Sequence, residues 1–218
     1  MTGANRGIGR EVARQLLVRG DRVVVTARRL DAAERTAQEL GGDAVAAGLD
    51  VTDQDSIDAV AAGLDRLDVV VNNAAIHYDT WQSAATADLA TVNEALDTNL
   101  LGAWRVVLAT LQLLSRSEHP RVVNVSSESG SLAGMGAGAP AYQVSKAALN
   151  ALTITFAAEF RHYGILVNAV CPGWVATDMG GRGGRPVADG AASVIWAVDL
   201  PDDGPTGGFF RDGVRLPW

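Results

Sequence analysis

The sequence predicts an α/β protein in which a doubly wound parallel sheet carries helices on both faces, with residues 1–218 forming a single domain. Three observations point there. Short apolar runs alternate with helix-like segments along the chain, the pattern of parallel strands joined by helical crossovers. No internal repeat or low-complexity tract breaks that alternation. A length of 218 residues, 48% of them hydrophobic, is enough for one core.

The elements follow in order. A glycine-rich turn feeds a helix near Gly7, where Ile8, Val12, Leu16 and Leu17 recur at helical spacing and Gly20 supplies the stop. Val23 to Thr26 then reads as a buried strand, Asp31 to Leu40 as a helix, Ala44 to Leu49 as a strand, Asp53 to Leu64 as a helix and Val69 to Val71 as a strand. A long helix is expected from Thr91 to Ser115, a strand from Arg121 to Val125, a second long helix from Tyr142 to His162 and a strand from Ile165 to Val170. A Gly-rich stretch at 180–184 reads as a linker or a substrate lid, before a helix over Val187 to Val198 and a strand around Gly208 to Arg211. One element is absent. A doubly wound sheet places a strand ahead of its glycine loop, yet only Met1 precedes Thr2-Gly3. The sheet is therefore expected to lack its first strand, and a start upstream of Met1 is the expected explanation.

Composition narrows the function classes. The net charge of −7 argues against a nucleic-acid surface, which needs clustered Lys and Arg. No stretch reaches the roughly 18 unbroken apolar residues of a spanning helix, and no basic head with an apolar run opens the chain, so neither a membrane nor a secreted protein is expected. The lone Cys171 fits a reducing compartment, and a cytoplasmic location is expected. Three His and one Cys without suitable spacing give no metal site. Of 18 basic side chains only Lys146 is a lysine. A compact ammonium does what a planar guanidinium cannot, although a spared surface lysine is the plain alternative.

Thr2-Gly3-Ala4-Asn5-Arg6-Gly7-Ile8-Gly9 spaces three glycines directly before a helix, where backbone N–H groups can face a pyrophosphate. Alone this is a weak signal. Further motifs follow it in order, Leu49-Asp50-Val51, Asn72-Asn73-Ala74-Ala75, the Tyr142 and Lys146 pair and Pro172-Gly173, and together they resemble the short-chain dehydrogenase/reductase family with its Rossmann-type fold, while the ending Gly204-Pro205-Thr206-Gly207-Gly208-Phe209-Phe210-Arg211-Asp212-Gly213 resembles its carbonyl-reductase-like members. Leu49-Asp50-Val51 resembles the family's adenine-contacting segment. Asn72-Asn73-Ala74-Ala75 resembles its Asn-Asn-Ala-Gly signature, which props the sheet and meets the ribose. Pro172-Gly173-Trp174-Val175-Ala176-Thr177 resembles its Pro-Gly motif, which implies that Thr177 and the Val175 backbone hold the nicotinamide carboxamide. NAD-preferring sheets carry an acidic residue after the second strand of the fold, whereas this chain has Arg28 and Arg29 there. Arg28 with Arg6 would fork onto a 2′-phosphate, so NADP(H) is the expected cofactor, with Arg29 a solvated surface residue.

Tyr142-Gln143-Val144-Ser145-Lys146 is Tyr-x-x-x-Lys, which puts phenol and ammonium on one helix face, one turn apart. A free phenol titrates near about pH 10, and an adjacent positive charge is what makes it useful in proton transfer. The pair alone is common by chance on amphipathic helices; the sole lysine falling on this position favours chemistry. The resemblance implies Tyr142 as general acid/base and Lys146 as its tuner, both also touching the cofactor. It implies Ser127, three residues before Gly130, as the hydroxyl that holds the substrate oxygen, with Ser126 and Ser129 left as turn hydroxyls. Asn99, in Asp97-Thr98-Asn99-Leu100-Leu101-Gly102, matches the family residue that positions a water for proton relay. His77, Tyr78, Trp81, Trp174 and Met179 are candidates for a substrate pocket or for ordinary packing.

The function these features imply is hydride transfer between NADP(H) and a small-molecule ketone, aldehyde or alcohol, in a protein that forms a homodimer or homotetramer as many relatives do. A non-catalytic NADP(H)-binding protein of the same fold and a truncated inactive product are the alternatives.

Overall fold

The structure is a computed structural model that describes residues 1–218. In chain order it comprises α1 (Gly7–Val18), β1 (Val23–Ala27), α2 (Leu30–Leu40), β2 (Ala44–Gly48), α3 (Gln54–Ala62), β3 (Val69–Asn72), α4 (Leu89–Leu96), α5 (Gly102–Leu114), β4 (Arg121–Val125), α6 (Pro140–Glu159), β5 (Leu166–Val170), α7 (Val187–Val198), β6 (Phe209–Arg211) and β7 (Val214–Arg215). Strands β3, β4, β5 and β6 pair in that order, all parallel, and β7 closes against β6 antiparallel. Strands β1 and β2 form a separate parallel pair.

The central strands are buried on both faces, which is why they read as unbroken Val-rich runs rather than as alternation. Val122 and Val167 pack into one apolar layer with Val107, Leu149 and Phe156 from α5 and α6. Their neighbours Val123 and Val170 point the other way, into a second layer with Val12, Leu16 and Val194 from α1 and α7. The result is a Rossmann-like three-layer α/β domain.

No strand precedes α1, in keeping with the sequence. Met1 to Ala4 instead bridge the two sheets: Met1 N donates to Val24 O (3.2 Å), Thr2 N to Val71 O (3.0 Å) and Ala4 N to Thr26 O (2.8 Å). The glycine loop is thereby held between β1 and β3.

Three elements differ from expectation. The helix foreseen from Thr91 to Ser115 is interrupted by a π-helical turn at Asp97–Leu101, an i→i+5 insertion of the kind that recurs at functional sites. The second long helix starts earlier, at Pro140, whose missing N–H and fixed φ suit a first helical position, and it passes after Glu159 into a 3₁₀ turn at Phe160–Tyr163. Finally, Asp212 (φ 50°) and Gly213 (φ 78°) form the left-handed pair of a tight hairpin, adding β7. Two residues of strand are too few for a periodicity to show.

Candidate active site

Parallel strands end on a common rim, and every motif singled out above falls on it or on the helices that leave it. The glycine loop is fixed first. Thr2 Oγ1 accepts from both Asn73 N (2.9 Å) and Ala74 N (3.0 Å), and Asn73 Nδ2 donates to Thr2 O (2.9 Å) and Gly3 O (3.0 Å). Asn72 reaches across the sheet to Asn124 Oδ1 (2.9 Å). A Cβ at Gly9 would lie 2.5 Å from both Asn73 Nδ2 and Gly3 O, so this glycine makes room for protein rather than for a ligand. Gly7, at φ 54°, opens α1 opposite Thr177, with 3.5 Å between the place of a Cβ and Thr177 Cγ2. Arg6, before α1, gives no side-chain cap, which leaves first-turn N–H groups such as those of Ile8 and Gly9 without a local side-chain partner.

Around that loop the other dinucleotide candidates gather. Arg28 is exposed at the end of β1 and close enough to Asp50 to help hold that carboxyl below its ordinary range, after the larger effect of the Thr52 N–H. Asp50 Oδ1 accepts from Thr52 N (3.0 Å) and Thr52 Oγ1 (2.8 Å), while the cap of α3 is Asp53. Val51 is buried against Gly102, where a Cβ would come within 2.7 Å of Val51 Cγ2. Arg29 turns away to Asp31. Arg6 spans to Asp178 (3.6 Å), between two exposed side chains. In the loop that leaves β5, Val175 is buried and bridges to Arg185, and Thr177 N donates to Val175 O (2.9 Å). The Gly-rich stretch is tied down by Trp174 Nε1 donating to Gly180 O (2.7 Å).

The second cluster lies on α6. Lys146 is 2% exposed, its Nζ donates to Val125 O (2.7 Å) and sits 5.6 Å from the centroid of the Tyr142 ring. Burial pulls its ammonium down to about 8. Burial likewise pushes the Tyr142 phenol above its ordinary value, opposed by a hydrogen bond with the Ser127 side chain. Ser127 caps the 3₁₀ turn Glu128–Gly130 through Ser129 N (3.2 Å), whereas Ser126 Oγ is consumed by Asn150 Oδ1 (2.6 Å). Gly130 lets this turn press on α6: a Cβ there would lie 2.7 Å from the Cβ of Lys146. Asn99, in the π turn, accepts from Ile76 N (2.8 Å) and donates to Ile76 O (3.1 Å) and Ser145 Oγ (2.9 Å). Its side chain thus orders the loop after β3 against α6 rather than pointing a bond at Lys146.

Three participants escaped the sequence reading. Asp79, fully buried, accepts from Ala141 N (3.0 Å) and Tyr142 N (3.1 Å) at the start of α6. Ser145 relays between Tyr142 O (2.8 Å) and Asn99. Cys171, noted only as a lone thiol, accepts through its sulfur from Glu128 N (3.3 Å) and Gly173 N (3.4 Å), joining the serine turn to the Pro-Gly loop. Asp79 belongs to no motif, Ser145 fills a variable position of Tyr-x-x-x-Lys, and only the fold brings Asp79 to α6, Asn99 to Ser145 and Glu128 to Cys171. Of the pocket candidates, Tyr78 meets Tyr142 edge to face (5.2 Å), His77 bonds Glu94 Oε2 (2.7 Å), and Trp81 and Trp174 are exposed.

Comparison with known proteins identifies the family. Residues 1–185 match the family described as short chain dehydrogenase. The 3-oxoacyl-(acyl-carrier-protein) reductase of Synechocystis sp. is 35% identical over 187 residues, covering 82% of this chain and 74% of the relative, and that of Escherichia coli is 34% identical over 184 residues, covering 82% and 73%. Among solved structures, the NADPH-bound carbonyl reductase from chicken fatty liver superposes with a TM-score of 0.89 at 28% identity over 99% of this chain and 96% of that one. The carbonyl reductase Sniffer of D. melanogaster gives 0.89 and 28% over 99% and 97%. No helix is long and apolar enough to cross a membrane. With a family match over most of its length and a carbonyl-reductase-like fold over nearly all of it, the chain belongs to the short-chain dehydrogenase/reductase family of oxidoreductases.

Proposed function

We propose that this protein is an NADP(H)-dependent carbonyl reductase that reduces a small ketone or aldehyde, with Tyr142 as proton donor. The observation that carries the reading is the buried ammonium of Lys146, which donates to Val125 O (2.7 Å) and lies 5.6 Å from the centroid of the Tyr142 ring, one helical turn away. The residues of the glycine loop fit a dinucleotide. The uncapped start of α1 suits a pyrophosphate, Gly7 leaves open the space facing Thr177, and Arg28 with Arg6 offers cations for a 2′-phosphate. Asp50 and Val51 would border the adenine, Asn73 and Ala74 the ribose, and Pro172, Val175 and Thr177 the nicotinamide, while Gly3 and Asn5 shape the loop.

When bound, the reduced dinucleotide supplies a hydride to the carbonyl carbon. The protein's own groups do the rest. Ser127 holds the carbonyl oxygen, and Tyr142 gives its proton to that oxygen as negative charge develops there. A phenol pushed up by burial stays protonated at neutral pH, so the protein rests in the acid form that reduction requires. Lys146 then faces the phenolate left behind, and its ammonium stabilises that charge until a proton returns. Asn99 and Ser145 keep the loop after β3 in register with α6. Chains named 3-oxoacyl-(acyl-carrier-protein) reductase share about a third of the sequence, which makes a 3-oxoacyl thioester a second substrate class to test beside simple carbonyls.

The test supplies NADPH deuterated at the transferred position, together with ketones, aldehydes, quinones and a 3-oxoacyl thioester. Deuterium on the carbinol carbon of at least one product is expected. No transfer to any member, with NADPH bound, overturns the reading in favour of a non-catalytic binding protein.

A further inference from the structure

We infer that Asp79 is a positioning residue for the proposed proton donor: from a loop 63 residues away, its carboxylate supplies the cap of α6 and so fixes where Tyr142 stands. This rests on the reading of Tyr142 given above.

The start of α6 cannot cap itself. Ala139, before the helix, lies in the left-handed region at φ 45° and has no side-chain acceptor. Pro140 has no N–H, and Gln143 N bonds Ala139 O (2.9 Å). Two donors remain, those of Ala141 and Tyr142, at the positions a capping side chain serves. Asp79 takes both, Oδ2 from Ala141 and Oδ1 from Tyr142, with Gln82 Nε2 as a third donor at 3.3 Å. A carboxylate with no exposed surface is costly unless such bonds are met, and its charge complements the positive end of the helix. Displacing either partner is therefore resisted from both sides.

The bonds close a circuit. Tyr142 O accepts from Ser145 Oγ, Ser145 Oγ accepts from Asn99 Nδ2, and Asn99 Oδ1 accepts from Ile76 N, three residues before Asp79. Between them His77 holds φ 56°, a conformation rare outside glycine, with its ring on Glu94, and Tyr78 lays its ring against that of Tyr142. Residues 76–79 thus hold Tyr142 directly by its N–H, through Asp79, and by its ring, through Tyr78, and reach its C=O by way of Asn99 and Ser145, so the phenol has few directions left to drift. Misplacement of a reacting group by about 1 Å can cost on the order of a hundredfold in rate.

The experiment compares Asp79→Ala and Asp79→Asn with wild type in kcat, KM for a reduced carbonyl, and Kd for NADPH, with circular dichroism for folding. Alanine is expected to lower kcat at least tenfold, with KM and Kd within twofold. Asparagine, which keeps one acceptor oxygen, is expected to recover part of that loss. A folded Asp79→Ala with kcat within twofold of wild type overturns the inference. So does a parallel worsening of kcat, KM and Kd that asparagine does not relieve, because that marks general damage. Should alanine not fold, asparagine decides: a several-fold loss in kcat alone supports the clasp, and wild-type kcat overturns it. Tyr142→Phe separates the two readings. If it is inactive while Asp79→Ala is fully active, only the clasp fails; if it turns over like wild type, the proton-donor reading fails.

Discussion

Replacing Lys146 by Met is expected to abolish turnover and at the same time remove a pH dependence from stability. Its ammonium ionises at about 8 in the folded protein, below the ordinary 10.5, because burial disfavours the charged form. The folded state therefore releases this proton at lower pH than the unfolded chain does. Between these two values the unfolded state binds more protons, so stability rises with pH there; below about 8 the full penalty applies. At about 1.36 kcal/mol per pKa unit, the penalty near neutrality is about 3 kcal/mol, and some 2 kcal/mol of it should be recovered between pH 7 and 9.5. Methionine carries no proton and fills similar volume, so the variant should lack that recovery. The lost bond to Val125 O offsets part of the gain at pH 7, which makes the slope, not the absolute stability, the decisive quantity. Urea unfolding of both proteins across this range measures it. Parallel stability curves for wild type and Lys146→Met would refute the claim that a charged lysine is buried against the sheet.

Two further changes test the cofactor side. Gly9→Ala sets a methyl group 2.5 Å from Asn73 Nδ2 and Gly3 O, an overpacking expected to cost about 1–3 kcal/mol and to weaken NADPH binding at least tenfold; thermal unfolding and fluorescence titration check both, and unchanged values contradict the loop geometry. Arg28→Glu should lower the NADPH over NADH preference in kcat/KM at least tenfold while activity with NADH persists, because only the 2′-phosphate meets the reversed charge. An unchanged ratio places the phosphate elsewhere.

Much of this site is legible in the sequence because its residues are local in the chain. Tyr142 and Lys146 sit one turn apart, the glycines of residues 3–9 crowd one turn, and a single lysine in an arginine-rich chain announces itself. Periodicity located all the long elements for the same reason, since Val-rich runs such as Val122-Val123 mark strands covered on both faces. What stayed hidden depends on contacts distant in sequence. Asp79 looks like any loop aspartate until the fold brings it under α6. The π turn that carries Asn99 inserts one residue between two helical segments, a phase shift confined to a single turn that a periodicity read over the whole stretch passes over. Gly9 reads as a cofactor glycine, and only the position of the Asn73 side chain shows that it relieves a contact inside the protein.

The central claim is that the phenol of residue 142 hands its proton to the substrate oxygen. Single-turnover reduction of a carbonyl by the NADPH complex of Tyr142→Phe tests it most directly, since it isolates chemistry from binding and release. With NADPH and substrate bound as tightly as in wild type, the account predicts a loss of about a hundredfold or more, the scale of general acid catalysis. A rate within a few-fold of wild type in that complex would contradict it.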